Sequence, residues 1–171
     1  YSRGKVVVIG GARRTPGAAI LAGVAALRMG AGRLTLAVAE SIAGQLAVTV
    51  PESGVYGLPE SPSGTVTGED VDRLLERELT RTDSLVVGPG LDDAEATVRI
   101  LETVVPTAPR RLPIVLDAYG ATVLPSLNRQ CLDLLTGRVI LTPNSTELRR
   151  LLEVEDLTPE EIPSAAADVV E

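Results

Sequence analysis

Short runs of β-branched and aliphatic residues alternate along the chain with longer stretches in which apolar positions recur at helical spacing. Lys5-Val-Val-Val-Ile9 is apolar after its lysine and closes on Gly10-Gly11, which predicts a strand buried on both faces and ended by a tight turn. Thr15-Pro16 then reads as a helix N-cap and first helical position, and residues 18–29 are rich in Ala and Leu until Gly30-Ala-Gly32 stops them. Residues 34–38 predict the second strand. Ser41 stands where it would cap a helix through Val48, with Pro51 as the breaker.

Residues 52–68 scatter Gly, Pro and Ser around Val55-Tyr56, the pattern of a loop that carries one edge strand. Over residues 69–81, Val71, Leu74, Leu75 and Leu79 recur at helical spacing behind an acidic first turn. A strand over 84–87 ends at Gly88-Pro-Gly90, and the helix after it presents Ala94, Val98, Leu101 and Val105 on one face. Residues 113–117 predict a strand ending in Asp117, residues 126–135 a helix and residues 138–141 a strand. Thr142-Pro-Asn144 turns into a last helix through Leu152. This alternation, without an internal repeat, predicts an α/β fold: a doubly wound, largely parallel sheet with helices on both faces and ligands at the carboxyl ends of its strands.

The length of 171 residues suits one domain, residues 1–171. Aromatics are 2% of the chain, with no Phe or Trp, so the core must be filled by Ala, Val, Leu and Ile. With 23 acidic against 16 basic residues the net charge is -7, and no Lys/Arg cluster can neutralise a run of phosphates, which excludes nucleic acid as a partner. Cys131 is alone and histidine is absent, which excludes a disulfide framework, a Cys/His metal site and a Ser/His or Cys/His nucleophile pair. No apolar run reaches the roughly 18 residues of a membrane span and no segment resembles a signal peptide, so the expected location is cytoplasmic, with no membrane partner. The chain starts at Tyr1 and stops at Glu171 inside a helical pattern, from which a chain incomplete at its C-terminus is expected.

Four strand-end loops should share one rim: residues 10–19, 88–90, 117–120 and 142–147. The first lacks both G-x-G-x-x-G and the Walker pattern, yet it delivers a helix N-terminus whose N–H groups around Gly17, Ala18 and Ala19 either face an anion or merely close a turn. Gly88-Pro-Gly90 is a side-chain-free turn, or a surface against which a ligand lies flat. Asp117 can hold a ligand hydroxyl or a metal-bound water, or can cap the following turn. Asn144 and Glu147 either contact a ligand or cap the last helix. Arg13, Arg14, Arg149 and Arg150 are candidates for phosphate pairing against a solvated alternative. Cys131 sits among leucines at helical spacing and reads as core.

Taken in order, Gly10-Gly11 with Gly17-Ala-Ala19, Gly30-Ala-Gly32, Gly88-Pro-Gly-Leu91, Val115-Leu-Asp-Ala118 and Leu141-Thr-Pro-Asn144 with Glu147 resemble the NAD(P)H-hydrate dehydratase family across nearly the whole chain. The resemblance implies a ribokinase-like domain that uses ADP or ATP, with Mg2+, to dehydrate the S epimer of hydrated NADH or NADPH in metabolite repair. It implies substrate contacts at Ala19, Gly90, Asn144, Ser145, Thr146, Glu147, Leu148, Arg149 and Arg150, and a homo-oligomer such as a tetramer. Gly17, Ala18, Gly88 and Asp117 are further site candidates from their strand-end positions, and no residue is named as a metal ligand. Family members usually carry His-Pro-Gly-Glu where this chain has Asn144-Ser-Thr-Glu147, and Asp-Ala-Asp-Ala where it has Asp117-Ala-Tyr-Gly120. Their Gly-x-Gly-Asp segment, source of the anion hole and the catalytic carboxylate, has no counterpart here, so these 171 residues alone are expected to be inactive. Two other functions fit the same fold: a ribokinase-like kinase of a small alcohol such as a vitamin precursor, and a non-catalytic nucleotide-binding or interaction domain.

Overall fold

A computed structural model of the protein describes residues 3–158 and 160–164. Its elements alternate as the apolar pattern requires: β1 (Lys5–Ile9), α1 (Pro16–Arg28), β2 (Arg33–Ala39), α2 (Glu40–Thr49), β3 (Ser53–Leu58), α3 (Val71–Leu79), β4 (Ser84–Val87) and α4 (Ala94–Thr107). Then follow β5 (Ile114–Leu116), α5 (Tyr119–Thr122), a 3-10 turn over Leu124–Ser126, α6 (Arg129–Leu135), β6 (Val139–Leu141) and α7 (Ser145–Leu152). The six strands form one sheet in the order β3-β2-β1-β4-β5-β6, and every pairing is parallel.

The order fixes where a ligand can enter. From β1 the chain winds outward through β2 to the edge strand β3, then crosses back through α3 to lay β4 against the other side of β1. The winding reverses there, so the loops after β1 and β4 leave in opposite directions and flank a crevice at the carboxyl ends of the strands. Val7, Val8 and Ile9 at the sheet centre are at most 2% exposed, as expected of a parallel strand covered on both faces. Burying each such aliphatic side chain contributes about 1.5–3 kcal/mol.

Three details depart from the sequence reading. Ser41 lies inside α2 rather than capping it; the N-cap is Ala39, without a side-chain bond, and the Ser41 hydroxyl donates to Glu60 instead, at 2.9 Å. α4 buries Ala96, Thr97, Ile100, Leu101, Val104 and Val105, while Ala94 is exposed and Val98 only half-buried. The phase differs because α4 packs on α3 and also on α5 and α6, so its apolar stripe is wider than one helical row. Finally, the helix expected from residue 126 starts at Arg129, capped by Asn128, whose side chain accepts from the Cys131 N–H at 2.9 Å. The short α5 and the 3-10 turn fill the gap before it.

Cys131 is 1% exposed, and burial pushes its thiol pKa up to about 11, with Glu102 adding to the rise. A native chain at pH 8 should therefore leave Cys131 unlabelled by a thiol reagent, and urea should expose it. Because the folded thiol holds its proton more tightly than the unfolded one, its contribution is complete below about pH 9 and is lost as pH rises towards 11. A second expectation contrasts two glycines. A methyl added at Gly10 would run into the Pro89 carbonyl, whereas at Gly44, inside α2, nothing lies within 4 Å. Gly10→Ala should lower stability by about 2 kcal/mol or more, and Gly44→Ala should raise it by about 0.5–1 kcal/mol, both read from urea midpoints.

Candidate functional site

The crevice at the switch point is floored by backbone. Gly11 N–H donates to Pro89 O at 2.8 Å, Ala12 N–H to Gly90 O at 2.8 Å, and Gly88 N–H to Ile9 O at 3.0 Å. Gly90 turns at φ +77, and a methyl there would meet the Thr15 carbonyl; only glycine holds this conformation without strain. Thr15 occupies the N-cap position of α1 but gives the helix no side-chain cap, because its hydroxyl donates to Gly90 O at 2.7 Å. The first turn of α1 therefore keeps N–H groups that no cap satisfies, beside a glycine loop.

Among the small residues, exposure sorts contact from support. Gly17 is exposed, and Ala18 and Gly90 are half-buried. Ala19 is 0% exposed and Gly88 is buried. Ala19, expected as a substrate contact, and Gly88, expected beside the contacts, are both closely packed: a methyl on Gly11 would touch Ala19, and one on Gly88 would strike Asp117 O.

Asp117 sits half-buried at the end of β5. Its carbonyl accepts from Gly120 N–H at 2.8 Å, closing a tight turn with Ala118 at φ 48 and ψ -122. That is the mirror-image turn geometry that glycine ordinarily supplies, so the backbone is strained at a non-glycine residue. The carboxylate does not cap α5; its Oδ1 accepts from the Thr142 hydroxyl at 2.8 Å and ties the β5 loop to the β6 loop.

At the start of α7, Asn144 Oδ1 accepts from Thr146 N–H at 2.9 Å and Glu147 N–H at 3.0 Å, while Glu147 Oε2 accepts from Asn144 N–H at 2.9 Å. This reciprocal capping box satisfies donors that the helix end would otherwise leave open. Ser145 and Thr146 remain exposed, as does Arg150, and Arg149 donates to the Thr146 hydroxyl at 3.3 Å. Leu148 turns inward at 3% exposure; it anchors α7, and of the expected contacts in this stretch it is the one withdrawn from the rim.

Arg13, a candidate for phosphate, is committed elsewhere. Its guanidinium pairs with Glu60 and also reaches Ser41 Oγ and Pro62 O, each at 3.1 Å. Burial by itself would raise the Glu60 pKa, but hydrogen bonds from Arg13 and from the Ser41 side chain and backbone outweigh it and hold the carboxyl below its ordinary value. Glu60 did not stand out in the sequence, and Thr142 did so only as part of the turn into the last helix, since a polar residue in a loop carries no periodic signal of its partner. Among the described residues no group of three or more His, Cys, Asp or Glu gathers to hold a metal, and no helix is long and apolar enough to cross a membrane.

The chain is similar to known proteins. A relative in Moorella thermoacetica, the bifunctional NAD(P)H-hydrate repair enzyme, is 38% identical over 152 residues, which cover 87% of this chain and 27% of that protein. The ADP-dependent (S)-NAD(P)H-hydrate dehydratase of Xanthomonas campestris is 34% identical over 149 residues, 87% of this chain and 48% of the relative. The chain thus spans half or less of these relatives' length. A solved ribokinase-like superfamily protein from Enterococcus faecalis superposes with a TM-score of 0.73 at 27% identity, over 97% of this chain and 55% of the other, so the fold is ribokinase-like. The model of the NAD(P)H-hydrate dehydratase family matches residues 6–170, and the chain belongs to that family.

Proposed function

We propose that the protein takes part in nucleotide-dependent dehydration of the S epimer of hydrated NADH or NADPH, with the strand-end crevice receiving the hydrated nicotinamide. The observation that carries this reading is the family match over residues 6–170 laid on a switch-point crevice whose floor is glycine backbone. A flat ring can lie against Gly90 and the first turn of α1, where Gly17 and Ala18 present N–H groups and little side-chain bulk. Ser145, Thr146, Arg149 and Arg150 on the exposed start of α7 supply polar contacts, and Asn144 with Glu147 fixes the helix that presents them.

The chemistry requires a nucleotide. Hydroxide leaves a carbon poorly, so a phosphoryl group from ADP or ATP is transferred to the substrate hydroxyl. The neighbouring C–H bond then gives up its proton, its electron pair forms the ring double bond, and the C–O bond breaks to release phosphate. Mg2+ bound to the nucleotide phosphates would neutralise charge during transfer. The residues described here hold substrate and orient it; none is assigned to the phosphates or to the proton. Cytoplasmic location and assembly into a homo-oligomer such as a tetramer belong to the same reading.

Incubating the complete gene product with S-epimer hydrated NADH, Mg2+ and ADP or ATP tests it. Nucleotide-dependent return of reduced-nicotinamide absorbance is expected; a phosphorylated alcohol formed from a vitamin precursor, without coenzyme recovery, would point to the kinase function instead. In the same protein, Asn144→Ala should cost about 1 kcal/mol of stability through loss of the cap and raise KM for the hydrated coenzyme, as the start of α7 loosens.

A further inference from the structure

The segment between β3 and α3 carries a small hairpin of its own. Thr67 N–H donates to Pro59 O at 2.9 Å, Ser61 N–H to Thr65 O at 2.8 Å and Gly64 N–H to Ser61 O at 2.8 Å, with Glu60 bridged to Val66. On one side the hairpin is tied to α4, where Arg99 Nε donates to Thr67 O at 3.0 Å. On the other it closes around Arg13. Besides the guanidinium contacts to Glu60, Ser41 and Pro62, the Arg13 N–H donates to Gly64 O at 3.0 Å. A methyl on Gly64 would collide with the Arg13 side chain.

Arg13 lies within the loop that floors the crevice. Successive N–H groups of that loop anchor it to different partners: Ala12 to Gly90 O, at 2.8 Å, and Arg13 to Gly64 O, at 3.0 Å. Two residues on, Thr15 returns to Gly90 O at 2.7 Å and α1 begins. The segment that presents the first turn of α1 is therefore held between Gly90 and the hairpin. We infer that Arg13 is a positioning residue for the crevice: by latching the hairpin to the loop after β1 it holds Ala12 to Thr15, and through them Gly90 and the first turn of α1, in the arrangement that receives the ligand. The ligand's identity rests on the dehydratase reading; the latch itself does not.

The Arg13 side chain is 43% exposed but that of Glu60 only 12%, so removing either partner also costs global stability; the split between KM and kcat, and the places where amide exchange quickens, separate the latch from a merely structural contact. Without it, binding must order the loop, and the loss falls on ground-state and transition-state binding alike. Arg13→Gln, Glu60→Gln, the double variant and Arg13→Lys in the complete gene product test this. Arg13→Gln should raise KM for S-epimer hydrated NADH about tenfold with kcat within about twofold, the signature of lost uniform binding. Glu60→Gln should act in the same direction. The double variant should be no worse than Arg13→Gln, because the two residues act as one unit. Arg13→Lys should recover only part, since an ammonium can meet Glu60 but not Ser41 and Pro62 together. Amide exchange, followed without substrate, should quicken over residues 10–17 and 59–67 in Arg13→Gln and stay unchanged in β4 and β5. An unchanged KM, or unchanged exchange over residues 10–17, would overturn the latch. An inactive wild type would instead defeat the dehydratase reading, and the exchange measurement would still decide the latch.

Discussion

Backbone meets backbone at the carboxyl ends of β1, β4 and β5, and the rest of the rim depends on that approach. A methyl at Gly10 would strike Pro89 O, at Gly88 it would strike Asp117 O, and at Gly120 it would strike Val87 O. Three strand ends are thus drawn together with no side chain between them, and their N–H and carbonyl groups satisfy one another directly, as Gly11 does with Pro89 and Asp117 with Val87. The same closeness recurs under α1, where Gly23 lets the helix sit on Leu34 and Leu36. A switch point that would ordinarily splay into a gap becomes a shallow, side-chain-free floor.

With the floor made of backbone, the polar side chains of the rim are largely spent on holding loops. Thr15 ties the β1 loop to Gly90, Thr142 ties the β6 loop to Asp117, Asn144 and Glu147 cap α7, and Arg13 binds the hairpin through Glu60, Ser41 and Pro62. These are residue types that a sequence reader assigns to ligands. Under the proposed function, recognition of the ligand falls to what the scaffold leaves accessible: the Gly17-Ala18 turn, Gly90, and the exposed hydroxyls and arginine at the start of α7. The one strained non-glycine residue among the rim loops, Ala118, sits where the β5 and β6 loops are tied, the kind of place where strain persists because its surroundings over-determine it.

Strand positions and the doubly wound order were legible because buried parallel strands read as unbroken β-branched runs; β1 and β4 fall at the residues the pattern predicts. The phase of α4 was not, because a helix packed against several others, here α3, α5 and α6, buries more than one row. Helix caps were only half legible. Asn144 followed by Glu147 is a reciprocal pair with a fixed spacing and was recognisable as one possibility, whereas Thr15 and Ser41 look like caps and bond elsewhere. Whether a hydroxyl turns to its own helix or to a loop far along the chain is decided by tertiary contact, as with Ser41 and Glu60. The Arg13 latch was illegible for the same reason: its partners lie in two separate segments, α2 and the hairpin, and nothing periodic links them.

The departures from the family's usual residues follow this division between scaffold and contact. Where family members usually carry His-Pro-Gly-Glu, this chain has Asn144-Ser-Thr-Glu147, and the local backbone demand is still met. An Asn at the N-cap accepts from two N–H groups and the retained Glu147 completes the box. An imidazole in the first position could titrate near neutral pH and turn outward; the Asn144 side-chain oxygen is instead engaged by its own helix. Polar capacity has moved one and two residues on, to the exposed hydroxyls of Ser145 and Thr146. The start of α7 therefore carries a neutral cap and neutral hydroxyls, so under the proposed function proton uptake at position 144 plays no part in binding at this end of the crevice.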